Sequence, residues 1–599
     1  VPDEDQPTLK KQRFQRLKKS PRKLSRRFRK LENTSLKHAH TFIIGRWENI
    51  RDVRRHAIAW AALVLLLTGC VMWQSFDFSK LYMKPIAAED TAFSEGVTGT
   101  LDTLNPIFAN SLAERSAAKL LFDGLLRYDG TNQLNTGLAD SWHYEDSGKH
   151  VIVTLRPNIH WQDGVPITSK DVIFTVNAVK NADTRSPLYS SWRNVIAKSI
   201  DSQTVEFDLP TVYAPFIDSL TLGILPEHLL GTTPAVELRN SSFNRAPVGS
   251  GPFEFRDIKT LSTSNSHAIL TMNANPDYYL GKPKLSRFYL HAFADTDQLL
   301  RSFTTDEINA AVNLSVQDID SLPANKKDNV HDSPLYDGTF AFFRTTNPIL
   351  QDTNVRQALR LATNRPAIIN KLDDRVRPLE GPLLPAQLTS VTTLPKQPMY
   401  NKAAAEKLLD AAGWVKGKDG KRAKAGQPLA LTVATARSGD FPLVLEEIAK
   451  EWNDLGVTVQ TQLVSTDDFQ QNVVTPRAYD VLIYELAIGS DPDVYPYWHS
   501  SQAGQHGLNL SDYSSGKVDD ALDSARSRLE PDLRNAKYRT FYEQWLTDAP
   551  AIALYQPTLH YAASPDVTAL RGRPIIDAVD RYAQVRYWSG SNEPGFTTP

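Results

Sequence analysis

At 599 residues, with 41% hydrophobic and 23% charged positions, the chain is long enough for several domains and has the composition of an ordinary soluble globular protein. Its formal charge of −1 conceals a division: residues 1–55 carry 17 Lys/Arg against 6 Asp/Glu, a net of +11, so the rest of the chain carries −12. A single cysteine, Cys70, excludes an intramolecular disulfide and a thiolate metal cluster, leaving packing to hold the fold.

The chain opens on a basic tail. Phe14, Leu17, Leu24, Phe28 and Leu31 fit one helical stripe, interrupted at Pro21, among lysines and arginines. This reads as a segment lying on anionic inner-leaflet lipid, or equally as a solvated disordered tail. No helix-turn-helix or zinc pattern supports nucleic-acid binding. Residues 57–73 then form an uncharged apolar run of about the minimum length for a bilayer core. Arg51, Arg54 and Arg55 abut its start, and Trp60 and Trp73 lie within it, so the positive-inside rule places the tail in the cytoplasm and the acidic bulk outside. A buried core helix is the competing reading of the run.

Leu67-Thr68-Gly69-Cys70 resembles a lipobox, which would make Cys70 a site of possible lipidation. The basic region is far longer than a usual signal n-region, and the apolar run continues through Val71, Met72 and Trp73. The expectation is therefore an uncleaved signal-anchor, with a lipoprotein signal as the alternative. Either tethers the protein to the membrane.

Residues 77–92 read as a linker. Further on, Val151, Val153 and Leu155 alternate with Ile152 and Thr154, predicting a strand covered on both faces and stopped by Pro157. Trp161-Gln162-Asp163-Gly164 predicts a tight turn, and Thr168 with Asp171 three residues on predicts a helix start carrying Val172, Val176 and Val179 on one face. Residues 400–414 read as an Ala/Leu-rich helix stopped by Gly413, residues 416–426 as a solvent-facing Lys/Gly hairpin tip, and residues 448–459 as a helix, a stop at Gly456 and a strand. None of the nucleophile-elbow, zinc-protease, phosphate-loop or dinucleotide motifs is present, and the 13 histidines are scattered. His499, seven residues before His506, reads as a surface or cleft-wall histidine, and Tyr495, Tyr497 and Trp498 as a cluster that suits core or cleft.

The segment 137–179 keeps Leu138, Ala139, Trp142, Gly148, Leu155, Arg156, Trp161, Asp163, Gly164, Pro166, Thr168, Asp171, Val172 and Phe174 in the order and spacing of a family signature. It resembles the extracytoplasmic solute-binding proteins of peptide and nickel ABC transporters, solute-binding family 5. Leu104-Asn105-Pro106, residues 121–125, residues 248–253 (VGSGPF), 275–285, 355–369, 381–385 and 400–414 extend the resemblance from Glu95 to the C-terminus.

The resemblance implies a two-lobed α/β fold of the periplasmic-binding-protein type (type II, large, with an extra subdomain), preceded by one transmembrane or signal segment. Residues 93–336 would form lobe one, 337–555 lobe two, and 556–599 the return to lobe one. It also implies capture of a peptide between the lobes and delivery to an ABC permease with its ATPase subunits, by a monomer without cofactor, resident metal or catalytic residue. Solute contacts are expected at Asn110 and Leu112, at Leu188, Tyr189 and Trp192, at Ser250, and in residues 485–491, chiefly Glu485, Ile488, Gly489 and Asp491. Glycines 249 and 251 read as allowing close backbone approach at the cleft, or as a β-bulge. Oligopeptide binders place an aspartate a few residues before a late Asp-Pro to pair with the peptide's α-amino group. This chain has Ile488 or Gly489 there, so a free N-terminus would need Glu485, Asp491 or Asp493 instead. The rival solutes are a metal chelate, an opine or a sugar, and a rival function is a membrane receptor or scaffold with a signalling tail.

Overall fold

The computed structural model describes residues 63–69, 71, 83–85, 91–145, 148–262, 267–388, 394–564, 573–589 and 594–596. The basic tail, Cys70 and most of the 77–92 linker lie outside them. Of the apolar run, residues 63–69 and 71 are described and helical, with the side chains of residues 63–67 exposed. No helix among the described residues is long and apolar enough to cross a membrane.

Pro85–Glu593 form one unit built on two large sheets. The first has seven strands, in the order Val330–Pro334, Thr558–Ala563, Ala310–Val312, Ala92–Thr98, Arg287–Phe293, His267–Ala274 and Phe253–Ser262. Its middle strand, Ala92–Thr98, runs parallel to both neighbours. Such a strand is covered on both faces and is accordingly apolar, with Phe93 and Val97 in the core. The second sheet has six strands, in the order Arg377–Pro378, Ala551–Gln556, Asp337–Phe343, Val481–Ala487, Ala430–Ala436 and Thr458–Val464. A four-stranded antiparallel sheet, with strands Ala139–Glu145, His150–Leu155, Thr204–Asp208 and Ile196–Ser199, forms a subdomain on the first lobe. The molecule is a two-lobed α/β protein.

The chain passes from the first large sheet to the second between Pro334 and Asp337, and back between Gln556 and Thr558. The two crossings lie side by side. Leu335 N donates to Pro557 O at 2.9 Å, and Gln556 Nε2 donates to Leu335 O at 2.7 Å. After the second crossing, residues 573–589 pack back on the first sheet, where Trp588 meets Phe93 edge-on at 5.4 Å.

The 137–179 segment folds as its pattern predicts. Strand His150–Leu155 is largely buried, and helix Ser169–Lys180 starts with a capping box in which Thr168 N donates to Asp171 Oδ2 at 2.8 Å. The other oxygen of Asp171 accepts Glu227 N at 2.9 Å, so this carboxylate fastens two segments of the scaffold. The hairpin at 416–426 departs from its predicted solvent-facing character at Arg422. That side chain is 2% exposed and donates to Leu455 O and Trp414 O, closing the end of helix Phe441–Leu455.

Candidate functional site

A cavity of about 470 Å³ opens between the two sheets beside the crossings. Thr98, Thr296, Asn313, Ser315 and Asp318 line it from the first lobe; Ser438, Asp440, Phe441, Phe469, Tyr484 and Glu485 line it from the second. Leu335, Tyr555, Pro557, Thr558 and His560 form the wall along the crossings. A space of this size, walled by a few aromatic rings and convergent polar groups, has the character of a small-molecule site.

Strand register explains the acidic wall. In strand Asp337–Phe343, Asp337 lies opposite Ala487 and Thr339 opposite Glu485. Side chains alternate faces along a strand, so Asp337 and Glu485 stand diagonally on one face and share a hydrogen bond. Burial, with the repulsion of Asp440, pushes the Glu485 carboxyl up to about 7, and burial with the charge of Glu485 also raises Asp337. Asp440 is raised by burial too, although its Oδ1 accepts Val316 N at 3.1 Å across the lobes.

The sign of the pH effect follows from these shifts. A carboxyl whose folded-state value lies above its unfolded value contributes its full stability below about 4.5 and loses it as pH rises through about 7. Wild type should therefore lose stability relative to Glu485→Gln between pH 5 and pH 8, by on the order of 2 kcal/mol after allowing for partial solvent access. Thermal melts of the two solute-free proteins at both pH values test this; a constant gap contradicts it.

A second recess of about 270 Å³ lies against helix Leu112–Leu121, lined by Pro106, Arg115, Lys119, Tyr128, Leu188, Leu222 and Ile576 among others. Here Arg115 pairs with Asp577 of the returning segment. Asp337 feels both charges of that pair as well as that of Glu485.

The lobes also touch directly. Tyr128 Oη lies 2.6 Å from Ser490 Oγ, which donates to Asp218 at 2.7 Å. Tyr213 Oη donates to Asp493 at 3.3 Å, and Ala214 N donates to Arg526 O at 3.1 Å. The Arg526 guanidinium lies 4.9 Å from the Tyr213 ring centre and pairs with Asp493 at 2.7 Å.

Of the residues singled out in the sequence, Glu485 lines the large cavity and Leu188 the small recess. Tyr189 is half-buried beside Leu188 at the start of a short helical turn. Asn110 and Leu112 flank the N-cap of helix Leu112–Leu121; Asn110 is exposed, Leu112 packs on the core, and neither lines a described cavity. Trp192 is 5% exposed, its ring edge-on to Phe216 at 5.7 Å, so it serves the core of the first lobe.

Ser250 is buried, and its hydroxyl accepts Asp123 N at 3.0 Å. The close approach made by the neighbouring glycines is to a helix end rather than to a solute. Ser250 N and Gly251 N donate to Leu121 O at 3.0 and 2.9 Å, and a Cβ on Gly249 would stand 1.9 Å from that oxygen. Gly249→Ala should therefore cost about 2 kcal/mol or more, read as a lowered urea midpoint. Gln162 braces the same turn, accepting Gly249 N at 2.9 Å and donating to Phe253 O at 2.8 Å.

Ile488 and Gly489, at the place of the expected ammonium-binding aspartate, both donate their backbone N–H to Tyr336 O, at 3.1 and 2.9 Å. They secure the first crossing. Asp491 pairs with Arg534 and Asp493 with Arg526, each at 2.7 Å, so both carboxylates have resident cations. Among the described residues no ion pair is formed by Glu485, Asp337 or Asp440. Trp498 is fully buried, and His499 stacks on Tyr495 at 4.0 Å, away from the cavity. Asp337, Asp440 and the Arg115–Asp577 pair carry no sequence signal, because their meeting depends on the crossings and the strand register.

The chain was compared with known proteins. Residues 133–507 match the family described as bacterial extracellular solute-binding proteins, family 5. Protein XP55 of Streptomyces lividans is 29% identical over 479 residues, covering 76% of this chain and 81% of its own length. The oligopeptide-binding protein AppA of Bacillus subtilis is 26% identical over 535 residues, covering 86% of this chain and 95% of its own. The solved AppA structure in complex with a nonapeptide superposes with a TM-score of 0.69 at 23% identity, over 85% of this chain and 100% of that one. NikZ from Campylobacter jejuni in complex with Ni(L-His) superposes with a TM-score of 0.70 at 26% identity, over 84% of this chain and 100% of that one.

Proposed function

This chain belongs to family 5 of the bacterial extracellular solute-binding proteins, and from that premise we propose that it captures peptides between its lobes and delivers them to an ABC permease with its ATPases. The observation that carries the peptide reading is the 470 Å³ cavity between the two sheets, whose lining carboxylates form no ion pair with a Lys or Arg among the described residues. A peptide brings its own cation, and main-chain hydrogen bonds to the cleft walls would accept many sequences. The likeness to AppA over 86% of the chain supports the same reading. The two adjacent crossings form a hinge about which the lobes close on the solute.

The protein acts by binding rather than by catalysis, as a monomer. Residues 57–73 tether it to the cell membrane with the binding domain on the extracytoplasmic side, and the basic tail faces anionic lipid within the cell. A non-peptide solute is the second reading, favoured by the likeness to NikZ, which is solved with Ni(L-His). Mass spectrometry of what elutes from the full chain, purified from cells grown in peptide-rich medium, tests the choice. A mixed population of peptides is expected. A metal chelate, opine or sugar without peptides would overturn it.

A further inference from the structure

Two histidines meet on the seven-stranded sheet of the first lobe. Strands His267–Ala274 and Arg287–Phe293 pair antiparallel, with Ala268 opposite Ala292 and Ile269 opposite His291. Opposed residues share a face and successive ones alternate, so His267, His291 and Phe293 stand together on one face of the sheet. The His267 ring stacks on Phe293 at 4.3 Å and the His291 ring lies 6.0 Å from the same phenyl. His267 Nε2 comes to 3.3 Å from His291 Nδ1. Neither histidine lines the large cavity or the recess beside helix Leu112–Leu121.

The separation of those two nitrogens is informative. It is longer than an ordinary protein hydrogen bond, which spans about 2.7–3.2 Å between heavy atoms. Two imidazoles on one tetrahedral zinc ion, each at about 2.0–2.1 Å from the metal, hold their nitrogens about 3.3–3.4 Å apart. Burial, and for His291 also the neighbouring His267, holds both rings below the usual histidine value, His291 at about 4, so each offers a neutral nitrogen at pH 7.

A carboxylate stands by the pair. Glu307, just past helix Thr296–Thr304, is the one acid whose charge acts on both rings. Its backbone N–H donates to Ser302 O at 2.9 Å and its Oε2 accepts Ser302 Oγ at 2.7 Å. Oε1 has no hydrogen bond among the described residues. His291 is 6% exposed, His267 half-buried and Glu307 exposed, so the group is closed behind and open to solvent in front.

We propose that His267, His291 and Glu307 hold a divalent cation of the zinc class, in a site separate from the solute cavity. This departs from the expectation of a protein without resident metal. Two histidines and one carboxylate are an established zinc set, with the fourth position left to water. The ion would tie the strand pair to the turn after helix Thr296–Thr304. A second nitrogen–oxygen group, His150 with Glu206 and Asp208, lies on the subdomain sheet, but there Lys198 already pairs with Asp208.

The test titrates zinc into the full chain, stripped beforehand with EDTA, in competition with a chromophoric chelator. One zinc ion per chain should bind and raise the melting temperature. His267→Gln and Glu307→Gln should each weaken binding at least about tenfold and remove that rise. His150→Gln should change neither. Both test residues lie outside the core, so their variants should melt near wild type without zinc. X-ray absorption on zinc-loaded wild type checks the ligand set without any variant, and two imidazoles are expected. Absence of zinc binding, binding retained in His267→Gln or Glu307→Gln, loss confined to His150→Gln, or a zinc ion with fewer than two imidazoles overturns the site.

Discussion

Replacing Arg581 by alanine should destabilise the protein by about 3–5 kcal/mol, the largest loss expected of any single polar substitution discussed. Arg581 and Glu95 are both fully buried, with Arg581 Nη2 donating to Glu95 Oε1 at 2.6 Å. Arg581 also donates to Ser116 Oγ and Ala578 O, each at 2.8 Å, and Tyr561 Oη donates to the second oxygen of Glu95 at 3.0 Å. Glu95 lies on the middle strand of the seven-stranded sheet, whereas Arg581 arrives only after both crossings. The pair therefore joins the chain's return to the centre of the first lobe. Truncating one partner strands a charge in the core. Replacing both, as Arg581→Met with Glu95→Gln, leaves no uncompensated charge and should cost clearly less. Urea denaturation of the single and double variants checks this; equal losses would contradict the buried-charge account.

Glu485→Lys should weaken binding of solutes bearing an ammonium group by on the order of 100-fold or more, because it brings two like charges together in the space meant for one. The fold should survive the change. Glu485 is only half-buried, and the new ammonium would lie beside Asp337 and Asp440, the two carboxyl groups that interact with Glu485. Titration with free tryptic peptides, alongside a thermal melt, separates the two effects. A variant that melts near wild type but no longer binds fits the account; one that binds as wild type contradicts it.

The strand, turn and helix of residues 137–179 were legible because their determinants are local: β-branched alternation, a tight turn and a capping box. The same residues proved to be scaffold, with Asp171 and Gln162 bracing neighbouring turns. The stop at Gly456 was equally plain, since its positive φ of 99° is where glycine is favoured. The candidate site was legible only at Glu485 and Leu188. Asp337 and Asp440 stand 148 and 45 positions from Glu485, and only the strand register and the turn into helix Phe441–Leu455 bring them together. Asp491 and Asp493 looked like free anions in the sequence because their partners, Arg534 and Arg526, sit on helices whose packing no local pattern reveals. Trp192, an aromatic residue that suited a cleft wall, belongs to the core, because a loop residue's burial depends on what packs over it.

A crystal structure of the full chain with the peptides it retains would test the central claim most directly. The account predicts solute density between the seven- and six-stranded sheets, with an ammonium group within hydrogen-bond reach of Glu485 and the lobes closed about the Pro334–Asp337 and Gln556–Thr558 crossings. Solute bound outside that cleft, or inside it with an uncharged group against Glu485, would contradict the account.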